Sequence, residues 1–129
     1  MKISHFTYLV RDYDEALQWF SRVLSFRVVE DRDLGGGKRW VLVEPDGGGV
    51  RLLLAKAVGE QAAYIGKQGG GRVFLFLETN DFARDHAALA ANGVRFCETP
   101  RHEAYGTVAV FEDLYGNRWD LIEPRAHRD

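Results

Sequence analysis

The chain carries one pattern twice, and this constrains its fold more than any other feature. At an offset of 68 residues, Ser25-Phe26-Arg27-Val28 lies on Gly93-Val94-Arg95-Phe96, and Arg39-Trp40-Val41-Leu42-Val43-Glu44 lies on Thr107-Val108-Ala109-Val110-Phe111-Glu112. At the same offset Gly48-Gly49-Val50-Arg51-Leu52-Leu53 lies on Gly116-Asn117-Arg118-Trp119-Asp120-Leu121, while residues 5–10 need an offset of 67 to fall on 72–77. Identities are few. What recurs is the order of apolar runs, glycines and turns, which is the mark of one supersecondary unit built twice.

Each half reads strand, helix, strand, strand, strand. In the first half the strands fall at 2–10, 26–31, 38–44 and 50–55. Asp12 predicts a helix N-cap, with Glu15 at the spacing of a capping box. Ala16, Leu17, Phe20, Val23 and Leu24 then follow helical spacing and form one apolar stripe. Leu34-Gly35-Gly36-Gly37 reads as a loop and Pro45-Asp46-Gly47-Gly48-Gly49 as a turn. In the second half the strands fall at 71–78, 94–98, 106–112 and 117–123. Asn80 or Asp81 caps a helix striped by Phe82, Ala83, His86, Ala87, Leu89 and Ala90, and Asn92-Gly93 suits its left-handed end. The polar, glycine-bearing segment 57–70 reads as a linker. The expected organisation is a single domain over 1–129, made of module 1–56, linker 57–70 and module 71–124. The fold class is α+β, with tandem βαβββ modules and mixed sheets.

Bulk properties narrow the function classes. A net charge of −2 gives no electrostatic case for nucleic acid. Apolar runs such as 73–77 are far too short to span a bilayer. The N-terminus Met1-Lys2-Ile3-Ser4-His5 lacks the apolar stretch of a signal peptide. With one cysteine there is no internal disulfide and no cysteine-rich metal site. The expectation is a cytoplasmic protein with no nucleic-acid and no membrane partner. Three glycine triplets, at 35–37, 47–49 and 69–71, precede no helix and read as turns rather than phosphate loops.

The segment Asp113-Leu114-Tyr115-Gly116-Asn117-Arg118-Trp119-Asp120-Leu121-Ile122-Glu123-Pro124 adds chemistry. Gly116-Asn117 between apolar runs is a hairpin signal, because both residues tolerate positive φ. Asp120 puts a carboxylate among the apolar positions of the last strand, where it needs a partner, a metal or a wet cavity.

The tandem repeat, the run Leu9-Val10-Arg11-Asp12 leading into Ala16-Leu17-Gln18-Trp19-Phe20, and the closing 113–123 segment together resemble the vicinal oxygen chelate superfamily. That superfamily includes glyoxalase I, extradiol dioxygenases, and fosfomycin and bleomycin resistance proteins. The closing segment is similar to its D-P-D-G-N-x-x-E-L ending. The resemblance implies curled sheets around a cupped cavity. It also implies metal ligands from the first and last strands of each half. Carried over, the four ligand positions are His5, Leu52, Arg72 and Asp120. None of residues 51–54 is a metal ligand, so a slip of one position in that alignment would not restore a donor. Leucine has no donor atom and arginine stays cationic, so His5 and Asp120 are the metal candidates of an incomplete site.

The resulting expectation is a small-molecule binding protein of the glyoxalase/bleomycin-resistance type that forms a homodimer and holds no cofactor. The alternative is a metal-dependent lyase, isomerase or dioxygenase using His5 and Asp120 with a divalent ion. Ligand-binding candidates are His5, Trp40, Leu52, Arg72, Phe74, Tyr105 and Asp120. Trp40 and Tyr105 would be aromatic walls. His5 and Arg72 would be polar anchors for an anionic or carbonyl-bearing ligand. Asp120 is expected to pair with Arg72. His102, in the 100–106 loop with Glu103 and Tyr105, is a candidate acid or base beside His5 and Asp120. Cys97 is expected to be a buried small apolar group, and His127 to sit in a disordered tail.

Overall fold

A computed structural model of the protein describes residues 1–126, so the expectation for His127 lies outside the described residues. The chain forms two compact units, residues 1–68 and Gly69 onward. The first contains β1 (His5–Val10), α1 (Tyr13–Arg22), β2 (Arg27–Gly35), β3 (Lys38–Glu44), β4 (Arg51–Lys56) and a 3-10 helix at Gly59–Tyr64. The second contains β5 (Val73–Glu78), α2 (Phe82–Ala91), β6 (Arg95–Phe96), β7 (Arg101–Glu103), β8 (Gly106–Glu112) and β9 (Arg118–Pro124).

Both sheets have one topology. The first runs β1-β4-β3-β2 and the second β5-β9-β8-β6, with β7 also paired to β8. In each unit the first strand lies parallel to the last and the other neighbours are antiparallel. The α+β reading and the repeated strand order are therefore what the chain adopts.

Alternation along the strands decides what each unit buries. In the first unit Tyr8 meets Phe20 of α1 edge-on at 5.5 Å, so β1 turns Tyr8 and Val10 towards the helix. Their partners across β4, Leu54 above all, share that face, and Val41, Val43, Ala16 and Phe20 complete a fully buried core. In the second unit Phe111 stacks on Trp119 and meets Phe96, which stacks on His86 of α2 at 4.0 Å. Leu121 and Ala109 join this helix-facing core.

Local chemistry sets the helix ends. Asp12 accepts from the Glu15 amide at 2.8 Å and Asp81 from the Arg84 amide at 3.1 Å, so both predicted N-caps form. The Glu15 carboxylate does not close a capping box. It pairs with Arg11 instead. Shortly beyond each helix one residue takes positive φ, Ser25 (φ 57°) two positions past the α1 C-cap Val23 and Gly93 (φ 86°) directly after the α2 C-cap Asn92. The repeat thus copies the stop signal but not the residue best suited to it.

Four places differ from the sequence reading. The predicted loop at 34–37 is a tight hairpin: β2 continues to Gly35, which pairs with Lys38, and Gly36 and Gly37 both take positive φ. That is the geometry of a two-residue type I′ turn. Residues 101–103 form a short strand, β7, within the stretch read as a polar loop. Cys97 is exposed rather than buried, because the chain leaves β6 at Phe96. Residues 57–68 fold back on the first unit. The Gln68 side chain accepts from the Leu9 amide at 2.7 Å and donates to the Thr7 carbonyl at 3.2 Å. An amide side chain there stands in for a neighbouring strand on the free edge of β1. No helix among the described residues is long and apolar enough to cross a membrane.

Candidate functional site

The turn before β9 is the most tightly bonded feature near the candidate site. Asp113 Oδ1 accepts from the amides of Tyr115 (2.9 Å) and Asn117 (3.0 Å). Its Oδ2 accepts from Asn117 Nδ2 (3.1 Å) and Trp119 Nε1 (3.2 Å). Gly116, at φ 95°, lets the chain close around the carboxylate. Burial pushes the Asp113 carboxyl up from its ordinary range, and the donors from Asn117, Tyr115 and Trp119 pull it back. The aspartate of this motif is thus structural: it fixes where β9 starts and which residues β9 turns to each face.

With that register, Trp119 and Leu121 face α2, and Asp120 faces the opposite side. Its direct neighbours are Phe76 on β5 and Val110 on β8. Asp120 is 5% exposed, and its Oδ1 has no hydrogen-bond partner. Burial raises its pKa, the nearby positive charge of Arg101 opposes this, and Glu98 adds to it. Arg101 shares the face through its pairing with Val108. Its Nε donates to Glu98 and its Nη1 to Glu103, both at 2.8 Å. The second carboxylate oxygen of Glu98 accepts from the Val110 amide at 2.9 Å, and these bonds hold its pKa below the ordinary value, with Arg101 the main cause.

The cation that reaches Asp120 is therefore Arg101, not Arg72. Arg72 is exposed in the bend before β5. A register shift between Val73 and Leu75 interrupts the alternation that would have carried Arg72 and Phe74 onto the Asp120 face. Phe74 sits at this irregularity, and Phe76, 66% exposed, is the ring directly across from Asp120. Tyr105 is exposed in the turn between β7 and β8. His102 is exposed with its Nδ1 3.3 Å from Thr107 Oγ1, and alternation turns it away from Arg101 and Glu103.

In the first unit the structure brings two candidates together. His5 meets the Trp40 indole edge-on at 5.8 Å, and Ser4 Oγ lies 2.8 Å from His5 Nδ1. Leu52 is not beside them. It pairs with Phe6 and is buried on the helix side, whereas Leu53, paired with Thr7, is turned to the His5 face. A one-residue change of register exchanges the faces. Both residues are apolar, so neither supplies a donor.

The donor chemistry at the implied ligand positions does not fit a metal. On the His5 face, β4 presents Arg51 and Leu53, and across from Asp120, β5 presents Phe76. Among the described residues no group of three or more His, Cys, Asp or Glu side chains is arranged to hold a metal ion. Tetrahedral or octahedral metal sites need at least three such ligands.

Arg101 and Glu98 were not among the sequence candidates, and Glu103 was named only as a loop neighbour of His102. The signal is present as Glu98-x-x-Arg101-x-Glu103: once 101–103 is read as a strand, positions 101 and 103 share a face.

The chain was compared with known proteins. A model of the Glyoxalase/Bleomycin resistance protein/Dioxygenase superfamily matches residues 2–121. An uncharacterized protein of Shewanella frigidimarina is 51% identical over 124 residues, 94% of this chain and 92% of its own. Among solved structures, UcmS2 has a TM-score of 0.80 at 29% identity, covering 95% of this chain and 97% of that one. TnmS3, an antibiotic binding protein from Streptomyces sp. CB03234, has a TM-score of 0.77 at 25% identity, covering 97% of each chain.

Proposed function

The chain belongs to the glyoxalase/bleomycin resistance protein/dioxygenase superfamily, and from that premise we propose that it binds a small organic molecule without a complete metal site. The observation that carries the reading is the chemistry around His5 and Asp120. Their strand neighbours on the same faces include Leu53, Trp40, Phe76 and Val110, which are apolar or aromatic, and Arg51 directly across from His5, which is cationic; none of these is metal-ligating. Surfaces of this kind carrying a single polar group suit a flat, largely apolar ligand. The similarity to TnmS3 over nearly the whole chain supports the same class. Each unit thus offers its own polar point beside an aromatic ring, His5 by Trp40 in the first and Asp120 by Phe76 in the second.

Thermal-shift and tryptophan-fluorescence titrations with planar aromatic compounds test this reading. A saturable response that Trp40→Leu removes, with folding intact, is the expected result. A flat response across the whole panel would contradict it. The protein is proposed to act as a homodimer, and a sedimenting species of monomer mass at tens of micromolar would refute that part.

The second reading is a metal-dependent lyase, isomerase or dioxygenase using His5 and Asp120. One observation favours it, the unpartnered Asp120 Oδ1. Stoichiometric metal in protein purified without chelator, lost in His5→Ala, would put this reading first.

A further inference from the structure

We propose that the helix-free face of the second unit recognises a protonated amine on an aromatic ligand, with Asp120 as the acceptor and Phe76 as the ring beside it. The inference rests on the ligand-binding reading above and assigns the charge of the ligand, reversing the anionic expectation that Arg72 had suggested.

Three observations converge. First, Asp120 is 5% exposed on a central strand and its Oδ1 has no partner. A buried carboxylate oxygen without a donor is costly, and native proteins retain one where a ligand, ion or water completes it. The χ2 torsion of aspartate is soft, so the carboxyl turns readily to present either oxygen. Second, among the described residues the cation that acts on Asp120, Arg101, is already committed. Arg101 donates to Glu98 and to Glu103 at 2.8 Å each. Counting Asp120, three carboxylates face one guanidinium, so this group carries excess negative charge. An arriving carboxylate is repelled, while an ammonium meets an unfilled acceptor in a setting of low dielectric. Third, Phe76 lies directly across from Asp120 and is 66% exposed. Its ring offers a stacking surface for an aromatic ligand and a favourable quadrupole for a cation. The acceptor and the ring stand on paired strands, which fixes their spacing before any ligand arrives.

The test uses three probes with one ring system: 1-naphthylmethylamine, 1-naphthylmethanol and 1-naphthylacetate. Each is titrated into the full-length protein and followed by amide NMR shifts and calorimetry. The amine is expected to bind at least tenfold more tightly than the acetate and to shift the amides of Phe76, Val110 and Asp120. Asp120→Asn, nearly isosteric, is expected to erase the tenfold preference while leaving the neutral alcohol's affinity within twofold. Phe76→Leu, at an exposed position, is expected to weaken all three probes, the amine most. If the alcohol and acetate bind this face as well as the amine, the charge assignment is wrong and the binding reading stands. If no probe binds, the binding reading itself fails and this inference with it. An Asp120→Asn variant that keeps the amine preference would overturn the proposal directly.

Discussion

Replacing Asp113 by alanine is the sharpest structural perturbation, because one carboxylate organises the whole turn into β9. It removes four hydrogen bonds. Three of the donors, the Asn117 amide, Asn117 Nδ2 and Trp119 Nε1, belong to residues only 2% exposed, so water replaces the lost acceptor poorly. An unsatisfied buried donor costs roughly 1–3 kcal/mol. Three of them would cost about 3–9 kcal/mol, and removing the desolvated carboxylate returns part of this. The direction of the Asp113 pKa shows that desolvation outweighs its four donors. The net loss therefore falls at the lower end, about 3–5 kcal/mol, a large share of the roughly 5–15 kcal/mol that stabilises a domain. Asp113→Asn keeps one acceptor oxygen and is expected to cost about half as much. Urea unfolding followed by circular dichroism measures both, with an unchanged m-value confirming that only stability moved. An Asp113→Ala loss below about 1 kcal/mol would refute the account of the turn, since that is the value of one ordinary hydrogen bond.

Other predictions follow from single positions. Asp120 has a pKa raised on folding, mainly by burial. Between its unfolded and folded values the native state holds more protons, so this group's contribution falls as pH rises through that window. Asp120→Asn should therefore stabilise the protein at neutral pH by about 1 kcal/mol and flatten that part of the stability–pH curve, at the expense of amine binding. A variant less stable than wild type at pH 7 would contradict this. His86 stacks on Phe96 at 4.0 Å and lies 5.4 Å from Phe82, and its Nε2 is buried without a partner. His86→Phe is thus expected to gain about 1 kcal/mol in thermal or urea unfolding, and a loss would show that the ring nitrogen is satisfied in solution. Ser25→Gly should raise the melting temperature by a few degrees, because glycine holds φ 57° without the Cβ penalty of about 1 kcal/mol. No change, or a fall, would mean the serine side chain compensates.

How far the sequence could be read depended on where its periodicities were unbroken. The repeat, both helices with their aspartate caps, and the strand at 106–112 follow from apolar spacing that runs without interruption. Asp120 was visible because a carboxylate stands out in an apolar strand. Its surroundings were not. The irregularity between Val73 and Leu75 leaves no mark in the sequence, yet it takes Arg72 off the strand and brings Phe76 opposite Asp120. At β4 a one-residue difference in register separates Leu52, under the helix, from Leu53, on the His5 face. β7 is three polar or charged residues long, too short for any alternation to register, so Arg101 and its carboxylates read as a surface turn. The fold came from patterns that span many residues, whereas the site is set by single-residue offsets that such patterns average away.

The central claim is that this chain binds an organic ligand through apolar and aromatic walls and its own polar groups, with no metal required. Calorimetric titration with the tightest-binding naphthalene probe, before and after exhaustive chelation, tests it most directly. The account predicts the same affinity and stoichiometry in both samples. Binding that disappears on chelation and returns with one equivalent of a divalent ion would contradict it.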